Sequence, residues 1–372
     1  MMFARGSPTG QRLGLLLLGY LGVVVAVIVF APFNFGPWST ERVLLLPGEG
    51  ERLSDLVLNV VLFVPLGFLL DRIGAGRLGL GRVMALGLGA SLFIETTQLF
   101  VLGRYSTATD VAANAAGALL GALASSGIRR RLGAADSITG RMFLDLPLLG
   151  LCWLMLPMFW VEALQGPLLP MQSVAAAGGF AIAGAGRSNA ARARQPSGVL
   201  WPMVVGWSLL GALPALSDSL WMVFTVVVAM LTATAAFVIG DRLWRAGGGG
   251  DRRVEPRAVF AILMSLAPWF LVKGWTDVLD LHQSRHLREL IFEWLALGAG
   301  FTVLGYALSE WRGRSTTPWP RSALVPTVVA LIVALPVTRG RPLYLVAALL
   351  VAAFGSLLFE VHRAHVVARR VG

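Results

Sequence analysis

Polar residues interrupt an otherwise apolar stretch of the sequence between positions 94 and 121. The interruption consists of two acids, two amides and one arginine, which are Glu95, Asp110, Gln98, Asn114 and Arg104. A lone acid near the centre of a bilayer costs about 2.5–3.5 kcal/mol, so each carboxylate must be protonated, paired or placed beside a polar cavity. Two interpretations follow. The charges neutralise one another and fix helix packing, or they form a ligand-binding or acid–base site, which intramembrane ionisable groups usually indicate.

The spacing of these residues places them on shared helix faces. Ser91, Glu95 and Gln98 are four and three residues apart, and Asp110 and Asn114 are four apart. Residues at those separations are neighbours on the surface of an α-helix. The stretch therefore predicts two antiparallel helices, joined by a short loop that holds the arginine, with their polar residues close together near the loop.

Small residues continue the polar face of the second of these helices. Gly117 and Gly121 follow Asn114 on the same side, and small residues let helices approach closely in lipid. We therefore expect the glycines to pack this helix against its antiparallel neighbour. Thr109 is expected to cap the start of the helix, where Asp110 would also interact favourably with the helix dipole.

The preceding apolar segment adds to the same cluster. An acid and an amide lie four residues apart near its start, and the amide, Asn59, could face Glu95 or Asn114. Pro65 lies inside this segment, where it should kink the helix and free a backbone carbonyl. Gly67 follows two residues later.

The composition predicts an all-α membrane protein. Of the 372 residues, 56% are hydrophobic and 14% are charged, and the mean hydropathy is +0.73, whereas soluble domains are about 25% charged. Apolar runs long enough to cross a bilayer recur throughout the chain, and they do not alternate like the strands of a membrane barrel. We expect a polytopic transmembrane helical bundle of about twelve spans, near 13–31, 54–70, 83–102, 110–127, 142–162, 169–186, 198–216, 219–240, 257–276, 289–309, 322–338 and 342–361.

The distribution of arginine predicts the orientation of these spans. Alternate loops hold most of the positive charge, as cytoplasmic loops do, which places both termini in the cytoplasm and a multi-pass protein in the cytoplasmic (inner) membrane. The loop with Arg104 is then external, so the polar cluster faces outward. The same rule explains the net charge of +11 without a nucleic-acid partner. We attribute the single lysine, Lys273, to codon usage, and the single cysteine, Cys152, excludes an intramolecular disulfide.

A run of three arginines and a polar stretch divide the chain after the fourth span. Residues 1–131 are expected to form a four-helix membrane module. Residues 132–372 are expected to form a second membrane bundle of about eight helices, to which the sequence assigns no function.

The order of the motifs in the first module resembles the VanZ-like family. The pattern N-x-x-x-F-x-P-x-G runs from Asn59 to Gly67, and E-x-x-Q runs from Glu95 to Gln98. The arginine, acid, amide and glycines described above follow in the family's order, and the segment APFNF after the first span also fits. The resemblance covers about residues 10–130. It implies an envelope-related membrane protein, because the family is named for a protein linked to teicoplanin resistance, and it supplies no reaction.

The resemblance and the outward position together predict a ligand-binding site or polar network. Its residues are Asn59, Glu95, Gln98, Arg104, Asp110 and Asn114, with structural roles for Pro65, Gly67, Gly117 and Gly121. We expect Glu95 and Asp110 to provide acidic contacts, and Arg104 to pair with one of them or with an anionic ligand. The expected partners are the lipid bilayer and a lipid-linked or cell-wall component, which would be bound or shielded. No cofactor is expected.

Two alternative functions stay open at this point. The segment from Gly67 to Arg77 resembles the cytoplasmic loop signature of the major facilitator superfamily, which would make the chain a twelve-helix transporter. The largest inner loops follow the fourth and eighth spans, however, and do not match the two six-helix halves of that superfamily. The other alternative is an enzyme acting on a lipid-linked envelope precursor, with Glu95 in an apolar pocket as general acid or base.

A second polar segment could hold a metal ion. His282, His286, Glu289 and Glu293 are four, three and four residues apart and would share one helix face. Two neighbouring arginines disfavour a bound cation, so we expect no metal there and interpret the segment as an amphipathic helix at the membrane interface.

Overall fold

Helices make up almost all of the described structure. The computed structural model describes residues 8–38, 43–44, 53–73, 78–131, 147–165, 168–193, 200–216, 220–246, 254–279, 287–312, 323–338 and 342–371. Within these ranges the helices are α1 (Pro8–Phe30), α2 (Leu53–Ile73), α3 (Gly79–Gln98), α4 (Ala108–Arg131), α5 (Pro147–Gln165), α6 (Leu168–Ala193), α7 (Trp201–Ala212), α8 (Leu220–Ala246), α9 (Val254–Leu279), α10 (Leu287–Arg312), α11 (Leu324–Thr338) and α12 (Pro342–Val371). A 3₁₀ turn, Leu213–Ala215, extends α7.

The apolar helices make the chain a multi-pass membrane protein. Seven helices among the described residues have the length and hydropathy to cross a bilayer: Leu13–Phe30, Asp55–Ile73, Leu168–Gly186, Trp221–Trp244, Pro256–Lys273, Leu287–Arg312 and Tyr344–Ala364. Each of the twelve expected spans coincides with one helix. How many of these helices cross the bilayer, and in which orientation, stays a prediction.

The end of α3 differs from the expected boundary. The sequence places the span at 83–102, but the helix ends at Gln98. The next residues form turns, in which the Phe100 N–H donates to the Thr97 carbonyl at 3.0 Å and the Val101 N–H donates to the Gln98 carbonyl at 2.9 Å. The apolar residues after Gln98 therefore belong to the loop.

Helix α4 packs most extensively against α2, with α3 on another side. A Cβ at Gly67 of α2 would overlap the Ala118 carbonyl, and a Cβ at Gly121 would overlap the Val64 carbonyl; Gly117 has the same relationship with Val60. The glycines thus bring α4 against α2. The expectation that they pack it against its antiparallel neighbour α3 is wrong, because the backbone atoms that these two glycines of α4 approach belong to Val60 and Val64 of α2.

Pro65 lies within the continuous helix α2. In the last turn of the same helix, Asp71 is buried and accepts a hydrogen bond from Ser125 of α4 at 2.5 Å. This acid belongs to the segment that resembles the transporter signature, and here it joins α2 to α4.

The later helices pack mainly against one another. Helix α6 packs against α8 and α9, and α10 packs against α12 and α5. At one end of this group Tyr306 and His362 form a buried hydrogen bond of 2.6 Å between α10 and α12. Helix α1 contacts both α2 and α12, so it lies between the first helices and the later ones.

Two short strands occur in the loops, although the sequence predicted helices alone. Strand β1 (Val43–Leu44) pairs in parallel with β2 (Ser106–Thr107). The loop after α1 also contacts the loop after α3: the Gly36 N–H donates to the Phe100 carbonyl at 2.7 Å, and the Leu102 N–H donates to the Asn34 carbonyl at 2.8 Å. Extended pairing is possible because these segments lie beyond the helix ends.

Candidate functional site

The polar residues of α3 all lie on its buried face. Ser91 is fully buried, Glu95 is 4% exposed and Gln98 is 9% exposed, whereas Phe93, on the opposite face, is 69% exposed. The four- and three-residue spacing therefore directs the acid and the amide towards the interior, and a large apolar side chain faces outward.

A side-chain hydrogen bond joins α3 to α4 one turn below the acid. The Asn114 amide nitrogen lies 3.0 Å from the Ser91 hydroxyl oxygen, to which it donates, and both residues are buried. Because Ser91 and Glu95 are one turn apart on α3, this bond places Asn114 on the same side of the helix pair as Glu95.

A second bond joins α4 to α2. The amide of Asn59 donates to the Asp110 carboxylate. The sequence proposed Glu95 and Asn114 as its possible neighbours, and the hydrogen-bond partner in the structure is Asp110, in the first turn of α4, which packs closely against α2.

The cap of α4 is Thr107 rather than Thr109. The Asp110 backbone N–H donates to the Thr107 hydroxyl oxygen at 3.0 Å, which is the usual N-cap geometry for a helix that begins at the following residue. The Thr109 hydroxyl lies within the first turn and instead shares a 2.8 Å hydrogen bond with the Thr107 hydroxyl. The expectation for Thr109 was wrong by two residues because α4 begins at Ala108, two residues before the expected span.

Strand β2 closes over the acid of α3. The Glu95 carboxylate accepts hydrogen bonds from the Ser106 hydroxyl and the Thr107 backbone N–H. Its Oε2 atom is buried and has no hydrogen-bond partner in the protein. The Gln98 Oε1 and Asn114 Oδ1 atoms are likewise buried without a partner. An unsatisfied buried polar atom costs about 1–3 kcal/mol, and more when it is charged.

Arg104 lies in the loop above these residues and is half-buried. Burial lowers the pKa of Arg104, and the positive charge of Arg288 lowers it further. The carboxylates of Asp55, Asp110 and Glu95 act in the opposite direction, in that order of strength. Asp55 is thus the acid that raises the pKa of Arg104 most, ahead of Asp110 and Glu95, the two acids expected from the sequence.

Arg288 shows that a later helix borders the site. It is the second residue of α10 and stacks its guanidinium on the Phe292 ring at 5.2 Å. It also lines a cavity of about 1110 Å³ between the loop after α1, the end of α5 and the start of α10. The other lining residues are Pro32, Phe33, Asn34, Leu164, Gln165, Leu287, Glu289, Phe292 and Glu293.

Helical spacing could not predict that Arg288 acts on Arg104, because the two residues are far apart in the chain. The segment APFNF, noted in the sequence for its fit to the family pattern, lies beside the same cavity as Arg288. Three of its residues line this cavity, and the loop that contains them is hydrogen-bonded to the loop that precedes Arg104.

A buried ion pair next to this cavity was missed by the sequence analysis. The Lys273 ammonium nitrogen lies 2.9 Å from the Glu162 Oε1 atom and donates to Gln165 at 3.2 Å, and the Trp269 indole N–H donates to Glu162 at 3.0 Å. Lys273 is 7% exposed and Glu162 is fully buried. The sequence analysis assigned Lys273 no role, because it attributed the scarcity of lysine to codon usage; a single lysine in an arginine-rich chain was the available signal.

The expected metal-candidate residues divide between described and undescribed parts of the chain. Glu289 and Glu293 lie on the first turns of α10 and face the cavity, whereas His282 and His286 lie outside the described residues. Within the described part, no group of three or more His, Cys, Asp or Glu side chains could hold a metal ion.

Two side-chain bonds link the helices that carry the sequence-predicted residues: Asn59 to Asp110, and Asn114 to Ser91, one turn from Glu95 on α3. We call the six predicted residues the polar site: Asn59, Glu95, Gln98, Arg104, Asp110 and Asn114. It lies where α2, α3 and α4 meet beneath the loop from Gly103 to Thr107. Its chemistry is dominated by oxygen acceptors, since two acids and three amides contribute carbonyl or carboxylate oxygens. Such an arrangement can bind a donor-rich group, or it can exchange a proton through a carboxylate.

Comparison with known proteins agrees with the resemblance read from the motifs. Residues 17–129 match the family model described as VanZ/LLP1, and this confirms the resemblance over the N-terminal third of the chain. The chain matches no curated protein and no solved structure.

Proposed function

We propose that this chain is a cytoplasmic-membrane protein that binds a component of the cell envelope at the polar site, in a role of the teicoplanin-resistance type. In this proposal both termini lie in the cytoplasm, and the polar site therefore opens towards the outer face. The observation that supports this proposal is the pair of hydrogen bonds, Asn59 with Asp110 and Asn114 with Ser91, that joins three helices within the segment that matches VanZ/LLP1.

The geometry favours binding over nucleophilic catalysis by Ser91. The polar site has carboxylates and amides held by hydrogen bonds to neighbouring helices, as a recognition site requires. The known patterns of nucleophilic catalysis join a nucleophile to a base that is itself oriented by a third group. Ser91, the buried hydroxyl beside Glu95, is instead engaged by the Asn114 amide.

Drug susceptibility tests the envelope role. The full chain would be expressed in a teicoplanin-sensitive Gram-positive host, and wild type compared with Glu95→Gln and Arg104→Ala at matched membrane levels. Glu360→Gln is the control, because Glu360 pairs with Arg363 in α12, away from the polar site. The cells would be challenged with teicoplanin, vancomycin and an unrelated antibiotic.

The expected result is protection against teicoplanin in wild type and in the control, with weaker protection in both site variants. A well-expressed wild type that gives no protection would contradict the envelope role. The same assay separates binding from catalysis: a binding site should be weakened partially by Glu95→Gln and also by Asn114→Ala, whereas a catalyst should lose almost all activity in Glu95→Gln alone.

A further inference from the structure

A large cavity lies between the first helices and the later ones. Its volume is about 1110 Å³, and the loop after α1, the end of α5 and the start of α10 form its walls. Helix α1 ends at Phe30, α5 ends at Gln165 and α10 begins at Leu287, and all three are apolar helices. The cavity therefore lies at the level where a membrane gives way to water, and its lining residues are distinct from those of the polar site.

Arg288 is the basic residue of this cavity lining. Its guanidinium stacks on the Phe292 ring at 5.2 Å, and both residues line the cavity. The five N–H donors of a guanidinium lie in its own plane, so stacking on a ring holds the group in place without using them. Planar donors of this kind bind the oxygens of a phosphate group in pairs. Arg288 is therefore suited to an anionic group that carries phosphate oxygens.

Two acids line the same cavity next to Arg288. Glu289 and Glu293 are four residues apart and share one face of α10, beside the face that holds Arg288 and Phe292. Solvent reaches both acids, since Glu289 is exposed and Glu293 is partly buried. A purely anionic ligand would be attracted by the arginine and repelled by the acids. The two neighbouring faces together suit a ligand that carries one negative and one positive group.

Apolar side chains complete the cavity wall. Phe33 and Leu287 both line the cavity, and both are exposed. The backbone of Phe33 has a φ of 62°, in the left-handed region that bulky residues rarely adopt. Such strain persists only where the surroundings fix it, which is common at ligand sites, and here the Phe33 N–H donates to the Phe30 carbonyl at 2.7 Å. The strained turn places an aromatic ring on the cavity wall, where an apolar chain can pass.

We propose that this cavity binds the headgroup of an ethanolamine phospholipid. The phosphate binds Arg288, and the primary ammonium binds Glu289 and Glu293. The acyl chains leave the cavity past Phe33 and Leu287. The level of the cavity favours a lipid over a soluble ligand, because an amphiphile keeps its charged end in water and its chains in the bilayer. This inference goes beyond the proposed function, since it assigns a second site on different residues.

Native mass spectrometry of the purified full chain in detergent tests this proposal. The probes are short-chain phosphatidylethanolamine, phosphatidylcholine and phosphatidylglycerol, together with free phosphoethanolamine. Phosphatidylcholine keeps both charges but has no N–H donor, and phosphatidylglycerol keeps the phosphate without a cation. Phosphoethanolamine keeps the whole headgroup without the chains. Each probe would be titrated against wild type and against variants of the cavity lining.

The charged variants test the two halves of the headgroup separately. Arg312→Ala is the matched control for Arg288→Ala, because Arg312 is exposed at the other end of the same helix. We expect wild type and the control to bind one molecule of phosphatidylethanolamine more tightly than any other probe. Arg288→Ala should lose about tenfold in affinity for all three phospholipids, since charge-assisted hydrogen bonds are the strong ones. Glu289→Gln/Glu293→Gln should instead bind the three phospholipids alike.

A third variant tests the apolar wall and does not depend on charge. Phe33→Gly removes the ring, and glycine adopts the left-handed conformation without strain, so the variant should fold. It should weaken the binding of all three phospholipids while leaving phosphatidylethanolamine the preferred one. This comparison keeps the proposal testable if Arg288→Ala does not fold, and unchanged binding to Phe33→Gly would contradict a lipid in this cavity.

Equal binding of the three phospholipids to wild type would overturn the proposal, because it would indicate only the ordinary layer of lipid around a membrane protein. Equal affinities of Arg288→Ala and Arg312→Ala would have the same meaning. Tighter binding of phosphatidylglycerol than of phosphatidylethanolamine would contradict the role of the two acids. Phosphoethanolamine that bound as tightly as the phospholipid would show that the chains contribute nothing, and would overturn the lipid source.

Discussion

The ammonium nitrogen of Lys273 lies 2.9 Å from a carboxylate oxygen of Glu162, and neither side chain is more than 8% exposed. The pair joins α9 to α5 and is completed by Trp269 and Gln165. Buried charges are costly to desolvate, so such a pair persists only when its hydrogen bonds are well formed. Gln165 also lines the cavity that Arg288 lines, so the pair is one hydrogen bond away from the lining of that cavity.

Removing one member of this pair should be far more harmful than removing both. Lys273→Met alone leaves the Glu162 carboxylate buried without its cation, and breaking a buried pair in this way costs about 3–5 kcal/mol. The double variant Glu162→Leu/Lys273→Met should recover most of that stability, because no charge stays buried. Thermal unfolding of the purified protein in detergent measures both.

The matched control is Glu360→Gln, which breaks the more exposed pair with Arg363. Its cost should be at most about 1 kcal/mol, as for ion pairs that water reaches. If Lys273→Met unfolded at the same temperature as this control, the Glu162–Lys273 pair would not have the structural weight assigned to it.

Adding one methyl group between α2 and α4 should destabilise the protein. Gly67→Ala places a Cβ against the Ala118 backbone carbonyl, and backbone atoms cannot move aside as a flexible side chain can. Overpacking of this kind costs about 1–3 kcal/mol. Gly89→Ala is the control, because nothing lies within 4 Å of its added Cβ, and alanine is the better helix former. A lower unfolding temperature for Gly67→Ala alone is expected, and equal temperatures would contradict the close α2–α4 packing.

The bond between Ser91 and Asn114 should contribute to stability more than an exposed hydroxyl does. Ser91→Ala leaves the buried amide nitrogen of Asn114 without its acceptor, which costs about 1–3 kcal/mol. Thr97→Ala removes a hydroxyl of the same helix that is exposed and bonds only to the Phe93 carbonyl, so we expect a change within about 0.5 kcal/mol. Unfolding curves of the two variants, recorded in the same detergent, should therefore separate clearly.

The predicted orientation can be tested with single cysteines. Wild type should not react with a membrane-impermeant maleimide, because Cys152 is buried. Tyr105→Cys, at a position that is 59% exposed in the loop near the polar site, should be labelled in intact cells. Arg242→Cys, exposed near the end of α8, should be labelled only after the membrane is opened. The reverse pattern would place the polar site on the cytoplasmic side and contradict the proposed outward opening.

The sequence by itself determined the helical class and much of the polar site. Apolar runs long enough to span a bilayer have one backbone solution, the helix, since hydrogen bonds must be satisfied within the segment. The spacing of Ser91, Glu95 and Gln98 is likewise a local property, because the helical repeat places them on one face whatever surrounds it. The order of motifs was enough to reveal the resemblance to VanZ/LLP1.

Only the tertiary structure decided which residues meet. Asn59 binds Asp110 because the glycines of α4 pack against α2. The sequence pattern of α4 does not predict which helix will be its neighbour on that side. Thr107 rather than Thr109 caps α4 because β2 fixes where the helix begins. Contacts between distant segments, such as Glu162 with Lys273, depend on how whole helices pack against one another. Helix periodicity predicts the direction in which a side chain leaves its own helix. The residue that it contacts there depends on how the other helices pack around that helix.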